Sequence, residues 1–327
     1  MIRRLGLWGA DRGERTQAVL WALESLDPQI QVLRLVENPR EWEEEAEEET
    51  ETAEAESLLA FRQRALPLCG YADFQEAEDS VIVVINGDLA QINHCFPGVS
   101  LRLLLEEPHT GQADPRVIWL ASPEVDLTVT VLRPLMAMGL EQAAIVSLES
   151  VSQYGEKGVP EMIREIVSLL NGKGAVHSLA SSQWAFNLLP VDTAAVLRSR
   201  RTILAHLDCA ALQLELQRIQ VPVFYGLQLQ LFLAFKEGVS VARVQERLQH
   251  VGHRTTVVRV AAVGQDALGP VEILAADEDT DPGIFFDIQP GLRDNHMNIR
   301  VIVDNLRYSL ALNLRQVLQN LHVEKAL

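Results

Sequence analysis

Cysteine occurs only three times in 327 residues, at Cys69, Cys95 and Cys209. Three cysteines build no disulfide framework and suit a reducing compartment, so a cytoplasmic protein is expected. Long apolar runs are missing as well. The N-terminus, Met1-Ile2-Arg3-Arg4-Leu5-Gly6-Leu7-Trp8-Gly9, carries two arginines, but its apolar run is too short for a signal peptide. No segment approaches the roughly 20 apolar residues of a membrane span, so no membrane association is expected. Basic residues are the third deficit. Lys and Arg number 28 against 45 Asp and Glu, a formal charge of −17. A nucleic-acid surface needs clustered Lys and Arg, so nucleic acid is not an expected partner. Glycine and proline stand at ordinary levels, which excludes collagen-like and low-complexity classes.

What is present is a globular composition: 48% hydrophobic residues and a mean hydropathy of +0.06. At this length about two domains are expected. Much of the negative charge is local. Glu41 to Glu56 holds ten glutamates and no basic residue, and the remainder of the chain carries −7. Such a block reads first as a solvated loop or exposed helix, and second as an interaction tail.

The chain opens with an apolar strand, Ile2 to Trp8, and a glycine turn, Gly9-Ala10-Asp11-Arg12-Gly13. An amphipathic helix follows from Thr16 to Leu26, then an alternating strand from Ile30 to Val36. A β-turn-α-β unit of this kind opens a dinucleotide-binding α/β fold. The pattern then predicts a helix over Ala55 to Ala65 and strands over Ser80 to Asn86 and Leu101 to Leu105. Val117 to Leu120 is a buried strand running into a helix. Ser122 is placed to cap it, Pro123 fits its first position and Glu124 suits its positive end. A cysteine at such a helix start would be favoured as thiolate, yet Val125 stands there.

Beyond that helix come a strand over Ala143 to Leu148 and a helix over Pro160 to Leu170 that ends at Asn171-Gly172. Gln183 to Pro190 reads as extended and Ala194 to Leu207 as a helix. Alternating runs over Leu212 to Ile219, Val221 to Tyr225, Leu227 to Phe235 and Thr255 to Val263 predict a mainly antiparallel sheet. Val239 to Val251 is helical between two of these runs. Ile299 to Val303 is a last strand, and Tyr308 to Leu321 a closing amphipathic helix. In Leu227 to Phe235, Leu229, Leu231 and Leu233 form an apolar face opposite Gln228 and Gln230, and this face is expected against a second copy of the chain.

Several strings resemble the aspartate-semialdehyde dehydrogenase family, most closely its Usg-type paralogue branch. They are Asp304-Asn305-Leu306-Arg307 leading to Ala311-Leu312-Asn313, Val221-Pro222-Val223-Phe224-Tyr225-Gly226, Gly155-Glu156-Lys157-Gly158, Leu169-Leu170-Asn171-Gly172, and Ala185-Phe186-Asn187-Leu188-Leu189-Pro190. The resemblance implies a Rossmann-like NAD(P)-binding domain, residues 1–121 and 306–327, plus an α+β dimerisation domain, 122–305. It also implies a homodimer, with a heteromer containing an active family member as a further option. The family's reaction makes the semialdehyde from aspartyl phosphate with NADPH, through a cysteine thioester, a general base and a carboxylate clamp.

Laid on this chain, the resemblance puts Val125 at the nucleophile and Glu149 at the glutamine that assists it. Leu227 falls at the histidine base, Gln220 at the substrate arginine and Ser199 at the substrate-amine glutamate. The cofactor turn is degenerate. Gly9, Ala10 and Gly13 remain, with Asn305 further on, while Arg12 and Arg15 replace the second and third glycines. Those glycines would let the backbone approach the pyrophosphate and the helix pack on the strand. Glu37 stands where the family often has an arginine for the 2′-phosphate. The implied protein is catalytically silent, a binding or assembly protein for which no cofactor is expected, with NADP or NAD as the ligand if the crevice is functional. The alternative is an NAD(P)-dependent oxidoreductase of the same family with altered chemistry in amino-acid biosynthesis.

Other constellations carry less. Cys95 follows His94, but neighbours on a strand point to opposite faces. Cys209 reads as an ordinary buried thiol. His250 and His253 lack a third ligand, so no metal site is expected. Arg198, Arg200, Arg201 and Arg218 form a candidate anion patch, in which Arg198 and Arg201 share a helix face.

Overall fold

The computed structural model describes residues 3–10, 14–24, 28–36, 59–70, 74, 80–85, 101–103, 117–119, 121–174, 182–249, 251, 258–260, 269, 271, 283–312, 314–315 and 318. The chain divides into two compact units, Met1–Ala121 with Leu310–Leu327, and Ser122–Ser309. The acidic tract, Glu37, Cys95, His250 and His253 lie outside the described residues.

The first unit is a parallel sheet. Its strands are β1 (Arg4–Trp8), β2 (Gln31–Val36), β5 (Leu68–Gly70), β6 (Ser80–Val84), β7 (Leu101–Leu103) and β8 (Val117–Trp119), in the order β5-β2-β1-β6-β8-β7. Strands buried on both faces read as continuous apolar runs, and Ser80-Val81-Ile82-Val83-Val84 is buried throughout. Helix α1 (Glu14–Glu24) buries Val19, Leu20, Ala22 and Leu23. The chain runs from β1 out to β2 on one side and returns to β6 on the other. The β1–β6 boundary is therefore the switch point of the sheet.

One expectation fails in this unit. Over the described part of Ala55 to Ala65 there is no helix but a short hairpin, β3 (Ala60–Phe61) and β4 (Arg64–Ala65). Arg62 and Gln63 form its turn with φ of 51° and 63°. Two consecutive left-handed residues match the twist of a tight hairpin, which here overrides helix propensity.

The second unit is organised on helix α2 (Pro123–Met136) and a seven-stranded mixed sheet. The strands are β9 (Leu140–Glu149), β10 (Leu189–Pro190), β11 (Gln213–Gln220), β12 (Leu227–Phe235), β13 (Val258–Val260), β14 (Ile284–Pro290) and β15 (His296–Val303), ordered β10-β11-β9-β12-β15-β14-β13. Four of the six pairings are antiparallel, while β11 with β9 and β13 with β14 are parallel. Helix α3 is Gly158–Leu170, after a 3-10 turn at Val151–Lys157; α4 is Thr193–Leu207 and α5 Val241–Leu248. Helix α2 packs against α4, α5, β9 and β12. Packing on that scale buries it nearly all round, Glu124, Asp126 and Thr128 included.

The leucine face of β12 is a correction. Leu227, Leu229, Leu231 and Leu233 are at most 3% exposed within a single chain, so they are core and not a partner surface. The opposite face, with Gln228, Gln230 and Phe232, is the one left open. Two extended readings also change. Only Leu189–Pro190 of the first is a strand. Upstream of it, buried Glu165 accepts the N–H groups of Trp184 and Ala185 at 2.8 Å each and holds a turn in which Phe186 takes φ 60°. Val221 to Tyr225 is not a strand either. Pro222 has no N–H to give a ladder, and the segment bends over the end of β9. The closing helix begins with a π-turn, Arg307–Leu312. Cys209 is half-buried and unpaired.

Candidate functional site

The bend at 221–226 assembles the site. Strand β11 runs parallel to β9 on one side, and β12 runs antiparallel on the other. Between them the chain crosses the end of β9: Val221 N–H donates to the Glu149 carbonyl at 2.9 Å, and the Val223 and Phe224 carbonyls accept from Val151 and Ser152. Gly226 then turns with φ 99°, a conformation that favours glycine. Its N–H donates to Asn305 Oδ1 at 2.8 Å, while Asn305 Nδ2 donates to Ser152 Oγ at 3.0 Å. Asn305 thus uses both ends of its amide inside the second unit.

The crossing places Gln220 and Leu227 on either side of Glu149, each in direct register with it. Three residues far apart in sequence, each singled out there, so form one row across three strands. All three are buried. Val125, also buried, lies in the first turn of α2 beside Glu124. Ser199, on α4, reaches the same place, donating to Glu124 Oε1 at 3.0 Å.

At the centre is Arg218, which the sequence placed in a candidate anion patch with Arg198, Arg200 and Arg201. Residues two apart on a strand share a face, so Arg218 points the same way as Gln220, towards α2. Its Nε donates to Glu149 Oε1 at 2.6 Å and its Nη2 to Glu149 Oε2 at 2.9 Å. Nη1 meets Glu124 Oε1 at 2.9 Å and Ser199 Oγ at 3.0 Å. Ser147, opposite Arg218 on β9, donates to Glu149 Oε1 at 2.9 Å. The anticipated patch is therefore divided. Arg198 and Arg201 are exposed, and Arg200 only approaches Glu215 at 3.9 Å.

Two carboxylates share one guanidinium in this network. Burial pushes the Glu149 carboxyl above its ordinary range, and the Glu124 charge adds to that, while the bonds from Arg218 and Ser147 oppose it. Burial alone would lower the Arg218 pKa, but the Glu149 bond and both carboxylate charges hold it above its usual value. Tyr154 is pushed up by burial and then by the Glu149 charge, against Arg218. The load on Glu124 is uneven. Its Oε1 receives Ser122 Oγ at 2.8 Å as well as Ser199 and Arg218, whereas Oε2 is buried with no partner. Ser122 occupies the cap position of α2, but its side chain caps nothing and bonds Glu124 instead.

Sequence reasoning missed this network. Its signals were an acidic residue in the first turn of a helix rich in Val and Leu, and Ser147/Glu149 and Arg218/Gln220 at period-two spacing on neighbouring strands. Buried charges need partners, and these are the partners available.

In the first unit, Gly9 takes φ 67° at the end of β1 and Ala10 is buried. Residues 11–13, including Gly13, lie outside the described residues. Arg15 Nη2 donates to the Ile85 carbonyl at 3.1 Å. Ile85 follows β6, so this side chain crosses the carboxyl edge of the sheet at the β1–β6 switch point. Among the described residues, no group of three or more His, Cys, Asp and Glu side chains is placed to hold a metal ion. No helix among them is long and apolar enough to cross a membrane.

A parallel-sheet unit of Rossmann type joined to a mixed-sheet α+β unit defines a two-unit α/β architecture. Residues 132–308, more than half of the chain, match the family described as semialdehyde dehydrogenase, dimerisation domain, and the chain belongs to that family. A USG-1 protein homolog from Pseudomonas aeruginosa is 30% identical over 200 residues, 56% of this chain and 55% of that protein. An aspartate-semialdehyde dehydrogenase from Legionella pneumophila is 23% identical over 60% of this chain and 58% of its own. The chain thus aligns with little more than half the length of these relatives. Among solved structures, a probable aspartate-semialdehyde dehydrogenase from Pseudomonas aeruginosa is 21% identical over the whole of both chains, with a TM-score of 0.75. Aspartate semialdehyde dehydrogenase II from Vibrio cholerae reaches the same TM-score at 17% identity, covering 98% of this chain and 99% of its own. At those identities the likeness is one of fold.

Proposed function

We propose that this chain is a catalytically silent aspartate-semialdehyde dehydrogenase-like protein, a pseudoenzyme that works by binding or assembly. The carrying observation is the row Gln220–Glu149–Leu227, joined through Arg218 to Glu124, the neighbour of Val125 in α2. The positions that the family resemblance gives to nucleophile, base and substrate arginine hold Val125, Leu227 and Gln220. Valine and leucine can neither attack an acyl phosphate nor move a proton. Among the described residues, the ionisable groups beside this row, Glu149, Glu124 and Arg218, are bound to one another, which supports the loss of acid–base chemistry there.

The dinucleotide is part of this reading. Arg15, where a packing glycine is expected, spans the switch point to Ile85. A side chain there lies along the edge where a pyrophosphate would sit, which supports the reading that no dinucleotide binds, and no step is routed through one. An altered NAD(P)-dependent oxidoreductase is the competing reading, favoured by the left-handed Gly9.

The assembly is a homodimer through the open face of the seven-stranded sheet, or a heteromer with an active family member. A groove of about 500 Å³ on that face is lined by Gln142, Ala144, Gln213, Phe232, Leu292 and Asn298, with Phe232 46% exposed. A cytoplasmic location goes with this proposal. Absorbance of reduced cofactor, after mixing the protein with aspartate semialdehyde, phosphate and NADP or NAD, tests the silence. No formation with either supports it, and formation with either overturns it.

A further inference from the structure

Arg218 sits in an arrangement unusual for a purely structural ion pair. The bond to Glu149 is a two-pronged contact, the geometry in which arginine holds the carboxylate of a ligand. A second carboxylate, Glu124, takes the remaining guanidinium nitrogen, so negative charge is in excess around the one cation. Glu124 Oε2 is left buried and without a partner. A cluster selected for stability alone would not keep an unsatisfied oxygen and a surplus charge, since both cost free energy when buried. The cation is also the member that solvent still reaches. The Arg218 side chain is 12% exposed, against 0% and 3% for the two carboxylates, and half-exposed Tyr154 lies near enough to be influenced by its charge.

We propose that Arg218 is an anion-binding site for a small carboxylate, closed in this conformation by the chain's own Glu149. Glu149 occupies the guanidinium as an internal mimic of the ligand, with Ser147 and Ser199 as further hydroxyl contacts. The groups facing it come from every packed element: Glu124 and Ser122 from α2, Ser147 from β9, Gln220 from β11, Ser199 from α4 and Tyr154 from the 3-10 turn. Of these only Glu124, Glu149, Tyr154 and Arg218 titrate. Protonation of Glu149 or its removal frees two of the guanidinium's donors. This rests on the reading of the site as catalytically silent, and adds to it that the site keeps a binding capacity under internal competition.

The test is calorimetric titration of the full chain with sodium acetate and, separately, sodium succinate, at constant ionic strength. Glu149→Ala opens space for the probe, and is expected to bind acetate at least tenfold more tightly than the unaltered chain at pH 8. Adding Arg218→Met to that variant is expected to abolish the gain. If Glu149→Ala does not fold, the unaltered chain is titrated at pH 5 and pH 8, with Arg218→Met as control. Tighter binding at pH 5 that depends on Arg218 supports the proposal. Equal affinity in Glu149→Ala and the unaltered chain overturns it, as does a gain that survives Arg218→Met. A null result here leaves the silent reading intact, because that reading falls only if turnover is seen.

Discussion

Arg218 and Glu149 join two parallel strands through a two-pronged contact, Nε to Oε1 at 2.6 Å and Nη2 to Oε2 at 2.9 Å. Both residues face α2, whose Glu124 takes the remaining guanidinium nitrogen. In place of an open cleft around a nucleophile, this unit has a closed network of internal partners.

Breaking that network from the cationic side should be costly. Arg218→Met leaves Glu149 and Glu124 buried without a counter-charge, a loss of roughly 3–5 kcal/mol. Glu149→Gln keeps the shape, and Glu124 still balances Arg218, so it should change stability by no more than about 1 kcal/mol. Urea unfolding of both variants checks the asymmetry; equal losses would contradict it.

The network also sets a pH dependence. Because the Glu149 carboxyl is raised above its ordinary value of 4.5, the folded state holds its proton more tightly than the unfolded chain does. Stability from this group is full below about pH 4.5 and declines as pH rises through the elevated folded value. Chemical unfolding between pH 4.5 and 8 should show that decline, and Glu149→Gln should flatten it. A steeper decline in the variant would contradict the assignment.

Asn305 acts as a staple for the crossing that places Leu227 beside Glu149. Asn305→Leu leaves the Gly226 N–H and the Ser150–Ser152 hydroxyl pair short of a partner. The expected loss is roughly 2–4 kcal/mol, read from thermal or urea unfolding. A loss under about 0.5 kcal/mol would mean that water replaces both bonds.

Much of this was legible in the sequence, for identifiable reasons. Strands β1, β2, β6, β9, β11 and β12 carry uninterrupted apolar or alternating patterns, and α2 announced itself through Pro123 and its apolar stripe. What escaped was set by tertiary context. The hairpin at Arg62 and Gln63 depends on two left-handed residues without a glycine between them. Strand β14, Ile284–Pro290, has an apolar pattern that the sequence reading passed over, and its pairing with β15 is a tertiary fact. The leucines of β12 showed which face is buried, but periodicity alone does not say whether core or partner buries it. The site behaved likewise: Glu149, Gln220, Leu227 and Ser199 are singled out separately in the sequence, while the row of Gln220 and Leu227 about Glu149, and the meeting of Glu149 and Ser199 at Arg218, required the crossing at Pro222.

The open sheet face yields a prediction about assembly. Phe232→Arg puts a charge at the centre of the proposed contact and should shift the chain from dimer to monomer at micromolar concentration, read by analytical ultracentrifugation. An unaltered chain that sediments only as monomer would contradict the homodimer outright.

If the proposed silence is right, restoring one part will not restore the chemistry. Val125→Cys places a thiol at the first turn of α2, while the positions that the resemblance gives to base and clamp still hold Leu227 and Gln220. Groups that act as a unit are not additive, so turnover is expected to stay at background. A measurable burst of reduced cofactor in this variant would show that base and clamp are supplied from elsewhere.

The most direct measurement is steady-state turnover of the unaltered protein at high concentration with aspartate semialdehyde, phosphate and each dinucleotide, calibrated against an active family member. The expected result is no reduced cofactor above background with NADP or NAD, since loss of a nucleophile alone typically costs several orders of magnitude. A clear, enzyme-dependent signal with either would contradict the account. If Cys95→Ala then abolished that signal, the nucleophile would be Cys95 and not a residue lost at Val125.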